Sequence, residues 1–369
     1  MWHSRLLVIS AALVILTGAV IGTAWNRDYQ RASADIRTLV ELHVPDTRVE
    51  VADIAIHPGI ASIEVTGETS DPDLHAALTT GSFTSWLRMK TDIRFLPDSS
   101  VEGRTNGVVS VAVANLRKEP RHGAELVDQA ILGSDVRILK KSRGWYLVQT
   151  PWDYLGWVTG ASLHFTNAHT TPTHRITATS SPVRRFPADT SLVLVDAPYG
   201  ATLSLVSTSG RFSQVLLPDS STGFVLASHV GPLPRPAGSA PDSASLIATA
   251  MSFHGIPYLW GGNSTSGFDC SGFTQTVFKA QGITLPRDAN MQFELGEDIP
   301  YADGFSQVRA GDLLYFGPST ERITHVAISL GGPRIIHASD YVMINSLDST
   351  AADYAPDRRA TLQAIKRLR

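Results

Sequence analysis

Three residues of the C-terminal third could carry out acyl transfer together: Cys270, His325 and His337. Cys270 is the single cysteine of the chain. It therefore has no intrachain disulfide partner and cannot build a Cys-rich zinc site. It follows a Gly/Ser/Asn-rich loop, within Pro257–Gly272, that leads into Asp269-Cys270-Ser271-Gly272. Phe273, Val277 and Phe278 then recur at helical spacing, and Gly282 ends the run. This pattern places Cys270 in the first turn of a helix with Asp269 near its cap. Free N–H groups and the helix dipole stabilise negative charge there, which predicts a lowered thiol pKa and a nucleophilic thiolate. A lone Cys is more often buried and inert. The small polar residues around this one suit a site open to substrate.

A thiol nucleophile also needs a base. Ile323 to Leu330 reads as a buried strand, Gly331-Gly332-Pro333 as a turn, and Arg334 to Ser339 as a second strand. The result is a hairpin with one histidine on each arm. Its midpoint, 331, brings His325 and His337 close to opposite one another, on one face if the loop has an odd number of residues. His325 would take the thiol proton, and His337 would bind its other ring nitrogen and fix the tautomer. Either histidine alone would more often be a satisfied core residue. A zinc reading is weaker, because there is no His-Glu-x-x-His and no clear fourth ligand. No cofactor is implied.

The rest of the chain must position these groups. It has 369 residues, 43% of them hydrophobic, and a formal net charge of −3. That composition excludes wholesale disorder, and near-neutral charge argues against a protein built to hold nucleic acid. Residues 1–25 read as a signal peptide or, if uncleaved, a single membrane anchor: Leu6 to Val20 is almost wholly apolar and Gly22-Thr23-Ala24 offers small residues for cleavage. The protein is expected to be exported, periplasmic or in the cell envelope. Residues 26–107 read as a small mixed α/β region of unknown role. A helix is expected within Tyr29–Leu42, a strand around Ile63, and a helix start at Asp71-Pro72-Asp73.

An internal repeat follows. At one constant offset Pro120 meets Pro187, Ala130 meets Ala197, Gly133 meets Gly200 and Gly156 meets Gly223. Short β-type runs between turn residues predict two small all-β barrels, 108–168 and 169–231. Trp145, Tyr146, Trp152 and Trp157 are expected chiefly as core. Residues 232–241 read as a Pro-rich linker, and 242–369 as the domain that carries the chemistry. Its tail, with Arg358, Arg359, Lys366, Arg367 and Arg369, reads as a closing strand with a solvated basic end.

Two resemblances attach to these residues. Asn115-Leu116-Arg117 and Leu155-Gly156-Trp157-Val158 make the first copy similar to bacterial SH3-like domains, and the second copy more loosely so. About 242–345 resembles the NlpC-type cell-wall cysteine peptidases, a papain-like α+β fold. The resemblance rests on Tyr258-Leu259-Trp260-Gly261-Gly262, Asp269-Cys270-Ser271-Gly272, Leu285-Pro286-Arg287-Asp288, Ala310-Gly311-Asp312-Leu313, His325-Val326-Ala327 and Ile336-His337-Ala338. It implies a Cys270, His325, His337 peptidase acting on peptidoglycan stem peptides, with Tyr258 and the Cys270 N–H at the oxyanion. Asp269 and Ser271 are further oxyanion or substrate-binding candidates. Asp312 reads better as a turn or cap residue.

With two barrels ahead of it, the domain resembles a narrower group, the γ-D-glutamyl-diamino acid endopeptidases of the dipeptidyl-peptidase VI type. That resemblance implies that Glu125 and Tyr154 of the first barrel, with Asp288, hold the free amine of an N-terminal L-alanine. In the repeat, Glu125 meets Leu192 and Tyr154 meets Ser221, so both occur only in the first copy. Glu125 also reads as a solvated surface charge. Arg287 could pair a substrate carboxylate or make a structural salt bridge. Ala289 departs from the group's usual Ser after the Asp. Two alternatives stay open: an endopeptidase on intact peptidoglycan, and a non-catalytic cell-wall-binding module. Oligomeric state and the particular diamino acid are not legible.

Overall fold

The computed structural model describes residues 2–368 except 82, 84, 167–170, 235–240 and 303, with side chains from residue 22 onward. The chain divides into two compact units, Met1–Ser99 and Ser100–Arg369. In the first, helix α1 (Trp2–His43) precedes strands β1 (Ala52–Gly59) and β2 (Ser62–Thr69), helix α2 (Pro72–Thr80) and strand β3 (Arg88–Phe95). The strands form one sheet in the order β1-β2-β3, with β2 and β3 parallel. Asp71 caps α2 by accepting from the Leu74 amide, so the Asp-Pro-Asp signal acts through the cap. Ala32 and Ile36 of α1 and Leu74 and Leu78 of α2 bury against Ile63, Val65 and Ile93 of the sheet. The apolar leader belongs to the same helix as Tyr29–Leu42, and its side chains up to residue 21 lie outside the described residues. Among the described residues no helix is long and apolar enough to cross a membrane.

The second unit opens with two β modules. The first comprises β4 (Asn106–Val109), β5 (Val113–Arg117), β6 (Leu126–Ile131), β7 (Asp135–Ser142), β8 (Trp145–Gln149), β9 (Leu155–Thr159) and β10 (Leu163–Phe165). The second comprises β11 (His174–Ile176), β12 (Ser180–Arg184), β13 (Val193–Pro198), β14 (Thr202–Ser209), β15 (Phe212–Leu216), β16 (Thr222–Leu226) and β17 (Val230–Pro232). The sheets run β10-β4-β7-β8-β9-β5-β6 and β17-β11-β14-β15-β16-β12-β13, the same order of equivalent strands.

The expected barrels are corrected here. Each module is an open seven-stranded sheet: β10 and β6 end the first order, β17 and β13 the second, with no pairing between the ends among the described residues. Closure requires hydrogen bonds between the two edges. A side chain of β6 reaches the C-terminal domain: Gln129 Oε1 accepts from the Asn263 amide at 3.0 Å and from Ser264 Oγ at 2.9 Å. Tyr146 and Trp152 are core residues of this module, as expected, whereas Trp145 and Trp157 are half-buried.

The C-terminal domain begins with α3 (Ser243–Ser252), capped by Asp242. Then come β18 (Asn263–Ser264), β19 (Gly267–Phe268), α4 (Cys270–Lys279), α5 (Ala289–Gln292), β20 (Glu297–Asp298), β21 (Leu313–Phe316), β22 (His325–Gly331), β23 (Arg334–Ala338), β24 (Val342–Ser346), α6 (Pro356–Thr361) and β25 (Leu362–Arg367). The main sheet has the order β20-β25-β21-β22-β23-β24 and is antiparallel throughout. Phe273, Val277 and Phe278 of α4 bury against Val326, Ile328 and Ile336 of this sheet. That face of α4 points its first turn, and Cys270, at the start of β22.

The basic tail is solvated only in part: Arg359 is exposed, and Arg369 lies outside the described residues. β25 enters the sheet beside β21, Arg367 Nε donates to Asp312 Oδ1 at 2.7 Å, and Lys366 Nζ lies 4.6 Å from the Phe293 ring centroid. Asp312 also accepts from the Arg309 amide at 2.8 Å, which is the turn role read for it.

Candidate active site

Asp269 is the N-cap of α4. Its Oδ1 accepts from the Gly272 amide at 2.7 Å and its Oδ2 from the Gly261 amide at 3.1 Å. This fixes both the helix start and the loop before it. Gly261 has φ +71°, and a Cβ there would lie 2.4 Å from the Leu126 carbonyl oxygen. Only glycine lets this loop approach β6 so closely. Cys270, the first residue of α4, is 7% exposed. Its sulfur is within hydrogen-bonding reach of the Val326 and Ser271 amides. The thiol thus stands against the first turn of its helix and the residue after His325.

Here the thiol expectation is corrected. Burial pushes Cys270 up to about 12, and the Asp269 charge pushes the same way; the two amides pull down and lose. The helix-start effect is present, but desolvation of a thiolate outweighs it.

The histidine pair is also corrected in register. β22 and β23 pair Ile328 with Ile336 and Ser329 with Ile335, and the ladder shifts by a bulge before Gly331↔Arg334. Continuing that register sets His337 opposite Ala327, two residues from the position facing His325. The pair is diagonal rather than opposite, and it stays on one face because the offset is even. His325 Nε2 and His337 Nδ1 are 2.8 Å apart, with the rings 86° from coplanar. His337 Nε2 is 2.9 Å from Asn345 Oδ1, while Asn345 Nδ2 donates to the Asp353 carbonyl at 3.2 Å.

These contacts assign the tautomers in sequence. Because Asn345 Nδ2 is used as a donor, its Oδ1 accepts from His337 Nε2–H. His337 Nδ1 then accepts from His325 Nε2–H, which leaves His325 Nδ1 with a bare lone pair. Burial, then the charges of His337 and Arg358, hold His325 well below its usual range. Burial lowers His337 to about 4 against the opposing Asn345 hydrogen bond. Asn345 was not read from the sequence; nothing in an isolated β-strand asparagine marks it. Asn345→Leu is expected to lower kcat by about tenfold or more, part of the ~10²–10⁴ that a positioned base supplies, with KM little changed. Steady-state kinetics of the purified variant check this.

Tyr258 flanks the thiol. Burial pushes its hydroxyl up to about 12, with the Cys270 and Asp269 charges adding to the rise, so it is a neutral donor at physiological pH. Among the described residues that hydroxyl has no hydrogen-bond partner. Asp269 and Ser271 are occupied elsewhere. Asp269 accepts from Arg287 Nη1 and Nη2 at 3.0 and 2.6 Å, and Ser271 Oγ accepts from Arg287 Nη1 at 3.0 Å.

Arg287 is fully buried. Its Nε donates to Asp128 Oδ1 at 2.5 Å, and Asp128 also accepts from Trp152 Nε1 at 2.7 Å and Asn263 Nδ2 at 3.2 Å. Of the two roles open for it, these bonds describe the structural one: a guanidinium joining the first module to the nucleophile's cap. Asp128 was missed. At the repeat offset it meets Val195, so an acid at an apolar strand position of one copy only was the available signal.

Tyr154 and Asp288 meet: the Tyr154 hydroxyl donates to Asp288 Oδ2 at 3.0 Å. Burial and the Asp288 charge raise Tyr154 well above the usual phenol range. Glu125 lies across the loop, where its carboxylate accepts from Trp260 Nε1 at 3.1 Å and sits 3.7 Å from Lys118 Nζ. The first module therefore supplies two polar groups to the C-terminal domain.

A thiol at a helix start, within reach of the amide that follows one of two paired imidazoles, lies in a domain preceded by two β modules. Comparison with known proteins gives the family. Residues 255–357 match the NlpC/P60 family and residues 116–163 the bacterial dipeptidyl-peptidase Sh3 domain. The γ-D-glutamyl-L-lysine dipeptidyl-peptidase of Bacillus cereus is 30% identical over 230 residues, which are 58% of this chain and 67% of that protein. The protein of the same name from Bacillus subtilis is 42% identical over 117 residues, 31% of this chain and 37% of its own length. Dipeptidyl-peptidase 6 of Lysinibacillus sphaericus is 29% identical over 279 residues, 71% and 99% of the two chains. The crystal structure of an NlpC/P60 family protein from Bacillus cereus superposes with a TM-score of 0.62 at 23% identity, over 71% of this chain and 99% of that one. The chain belongs to the NlpC/P60 family of cysteine peptidases and carries an SH3-like domain ahead of the peptidase domain.

Proposed function

We propose that the protein is an exported cysteine peptidase that hydrolyses the γ-D-glutamyl–diamino acid bond of peptidoglycan stem peptides, preferring fragments with a free N-terminal L-alanine. In this reading Cys270 Sγ attacks the γ-carbonyl carbon while its proton passes to His325 Nδ1. Tyr258 O–H and the Cys270 N–H receive the oxyanion. Collapse breaks the C–N bond, and the diamino acid amine leaves with the proton from His325. Water, deprotonated by His325, then cleaves the thioester and restores the thiol. His337 and Asn345 hold the base in its working tautomer.

The observation that carries the substrate preference is the Tyr154–Asp288 hydrogen bond, at 3.0 Å, between the first module and the residue after Arg287. Together with Glu125, these residues offer carboxylates and a phenol, groups that favour an ammonium over an amide. In an intact wall strand the L-alanine is acylated, so it brings no positive charge. The dipeptidyl-peptidase names of the relatives fit the same preference.

The test is mass spectrometry of L-Ala-γ-D-Glu-meso-diaminopimelate and its N-acetyl form, each incubated with the native protein and Cys270→Ala. Acetylation is expected to lower kcat/KM by about 100-fold, the scale of a lost charge-assisted hydrogen-bond pair, and Cys270→Ala to abolish release of diaminopimelate. Equal cleavage of both peptides would remove the amine preference and keep the chemistry. Cleavage of neither would overturn the fragment reading and direct the assay to polymeric wall.

A further inference from the structure

We propose that Arg358 is a specificity-determining residue: its guanidinium receives a substrate carboxylate next to the scissile bond. The inference rests on the peptidase reading above and deepens it.

Arg358 lies on the short helix α6, beyond the stretch 255–357 that matches the family. The sequence placed it in a solvated basic tail. In the structure it turns toward the site. Nη2 donates to Ser339 Oγ at 3.2 Å, and Ser339 stands two residues after His337. Cζ lies 6.0 Å from the Phe316 ring centroid, and Phe316 in turn lies 5.7 Å from the His325 ring. Its charge acts on Cys270 and Tyr258 and opposes protonation of both histidines.

Its partners are fewer than those of its buried counterpart. Arg287 has two carboxylates, and Arg367 has Asp312. Among the described residues, Arg358 forms no ion pair within 4.0 Å, and its one side-chain hydrogen bond is to a neutral hydroxyl. It is half-buried, and burial lowers its pKa. A partly desolvated guanidinium beside a pair of imidazoles costs free energy in the empty site. An incoming carboxylate would offset that cost through a bidentate pair.

A γ-glutamyl peptide supplies such a group. Because the chain runs through the side-chain carboxyl, the α-carboxylate of the D-glutamyl residue stays free, three carbons from the scissile carbonyl. The leaving diamino acid carries its own carboxylate on the other side. Both present the same chemistry to Arg358, and the assay separates them.

Native protein and Arg358→Gln are compared on three peptides: L-Ala-γ-D-Glu-meso-diaminopimelate, the form with the glutamyl α-carboxylate as carboxamide, and the form with the diaminopimelate carboxylates as carboxamides. Arg358→Gln is expected to lower kcat/KM on the acid peptide by about 10–100-fold, the range of a hydrogen bond between charged groups. On one carboxamide peptide the native protein should lose a similar factor and Arg358→Gln should lose little more. That peptide names the carboxylate that Arg358 binds. Arg358→Lys should recover part of the loss, since it keeps the charge and forfeits the bidentate fork. The same factor lost on all three peptides, or no loss on any, overturns the inference while leaving the peptidase intact. A native protein that cleaves none of them fails the peptidase reading itself, and the inference falls with it.

Discussion

Arg287→Met is expected to lower the stability of the second unit by about 3–5 kcal/mol, the range for removing one partner of a buried ion pair. Arg287 is enclosed, Asp128 is fully buried and Asp269 nearly so. Methionine fills much of the volume, so what remains is mainly two carboxylates without their cation. At roughly 2–4 °C per kcal/mol for a domain of this order of size, thermal unfolding should move down by about 10 °C. The pH dependence separates lost charge from lost packing. In the native protein, burial pushes Asp128 up to about 6 against the pull of Arg287. An acid with a raised folded-state pKa binds a proton that the unfolded chain releases, so its contribution falls as pH rises through that window. Without Arg287 the carboxyl climbs further. The deficit of Arg287→Met should therefore shrink toward pH 5 and grow toward pH 8. Adding Asp128→Asn should recover part of the loss at pH 8. Urea unfolding at both pH values reads all three. A deficit under about 1 kcal/mol, or one independent of pH, would show that the cluster is not an ionic clamp.

That cluster marks the limit of what the sequence displayed. Local chemistry was legible. The small polar loop, the Asp269 cap and the apolar spacing after it fixed where α4 starts and where its thiol points. The turn glycines set the strands of the β modules, and the hairpin with a histidine on each arm was visible, though not which face each histidine takes. Most of what failed depends on groups far apart in the chain. Whether β6 and β10 pair is a matter of how far each sheet curls, which short strands and turn residues do not display. The histidine register turned on one extra residue in the bulge at the end of β22, which no count of a turn's midpoint contains. The thiol pKa was read from its helix, whereas burial under the modules and sheet decides it. Arg358 looked like any charge in a basic tail until β25 closed the sheet and carried α6 back to the site. The thiol and Arg358 were misread because desolvation is fixed only when distant segments meet.

Cys270 is expected to react as a thiol, not as half of a preformed thiolate–imidazolium pair. Its pKa is pushed up to about 12 by burial, and His325 is held well below its ordinary value by burial and by neighbouring positive charge. Each shift disfavours separated charge in the empty site. Alkylation by iodoacetamide should therefore accelerate about tenfold per pH unit from pH 6 to 9, following the thiolate fraction. An ion pair would instead give a plateau across that range. The kcat/KM profile should behave oppositely. Attack needs a thiol and a neutral imidazole, so the rate should stay level from pH 8 down toward pH 5, below the usual histidine range. His325→Ala should remove about 10³-fold or more of kcat/KM, near the upper end of what a general base contributes. The acid limit then coincides with stability. His337 titrates at about 4 when folded, against an ordinary value of 6.5. Its contribution is present above 6.5 and is lost as pH falls from 6.5 toward 4, because the unfolded chain takes up the proton first. That window corresponds to about 3 kcal/mol. Circular dichroism and activity should accordingly fail together near its lower end. An alkylation plateau above pH 6 would reverse the assignment, placing the proton on His325 before substrate arrives.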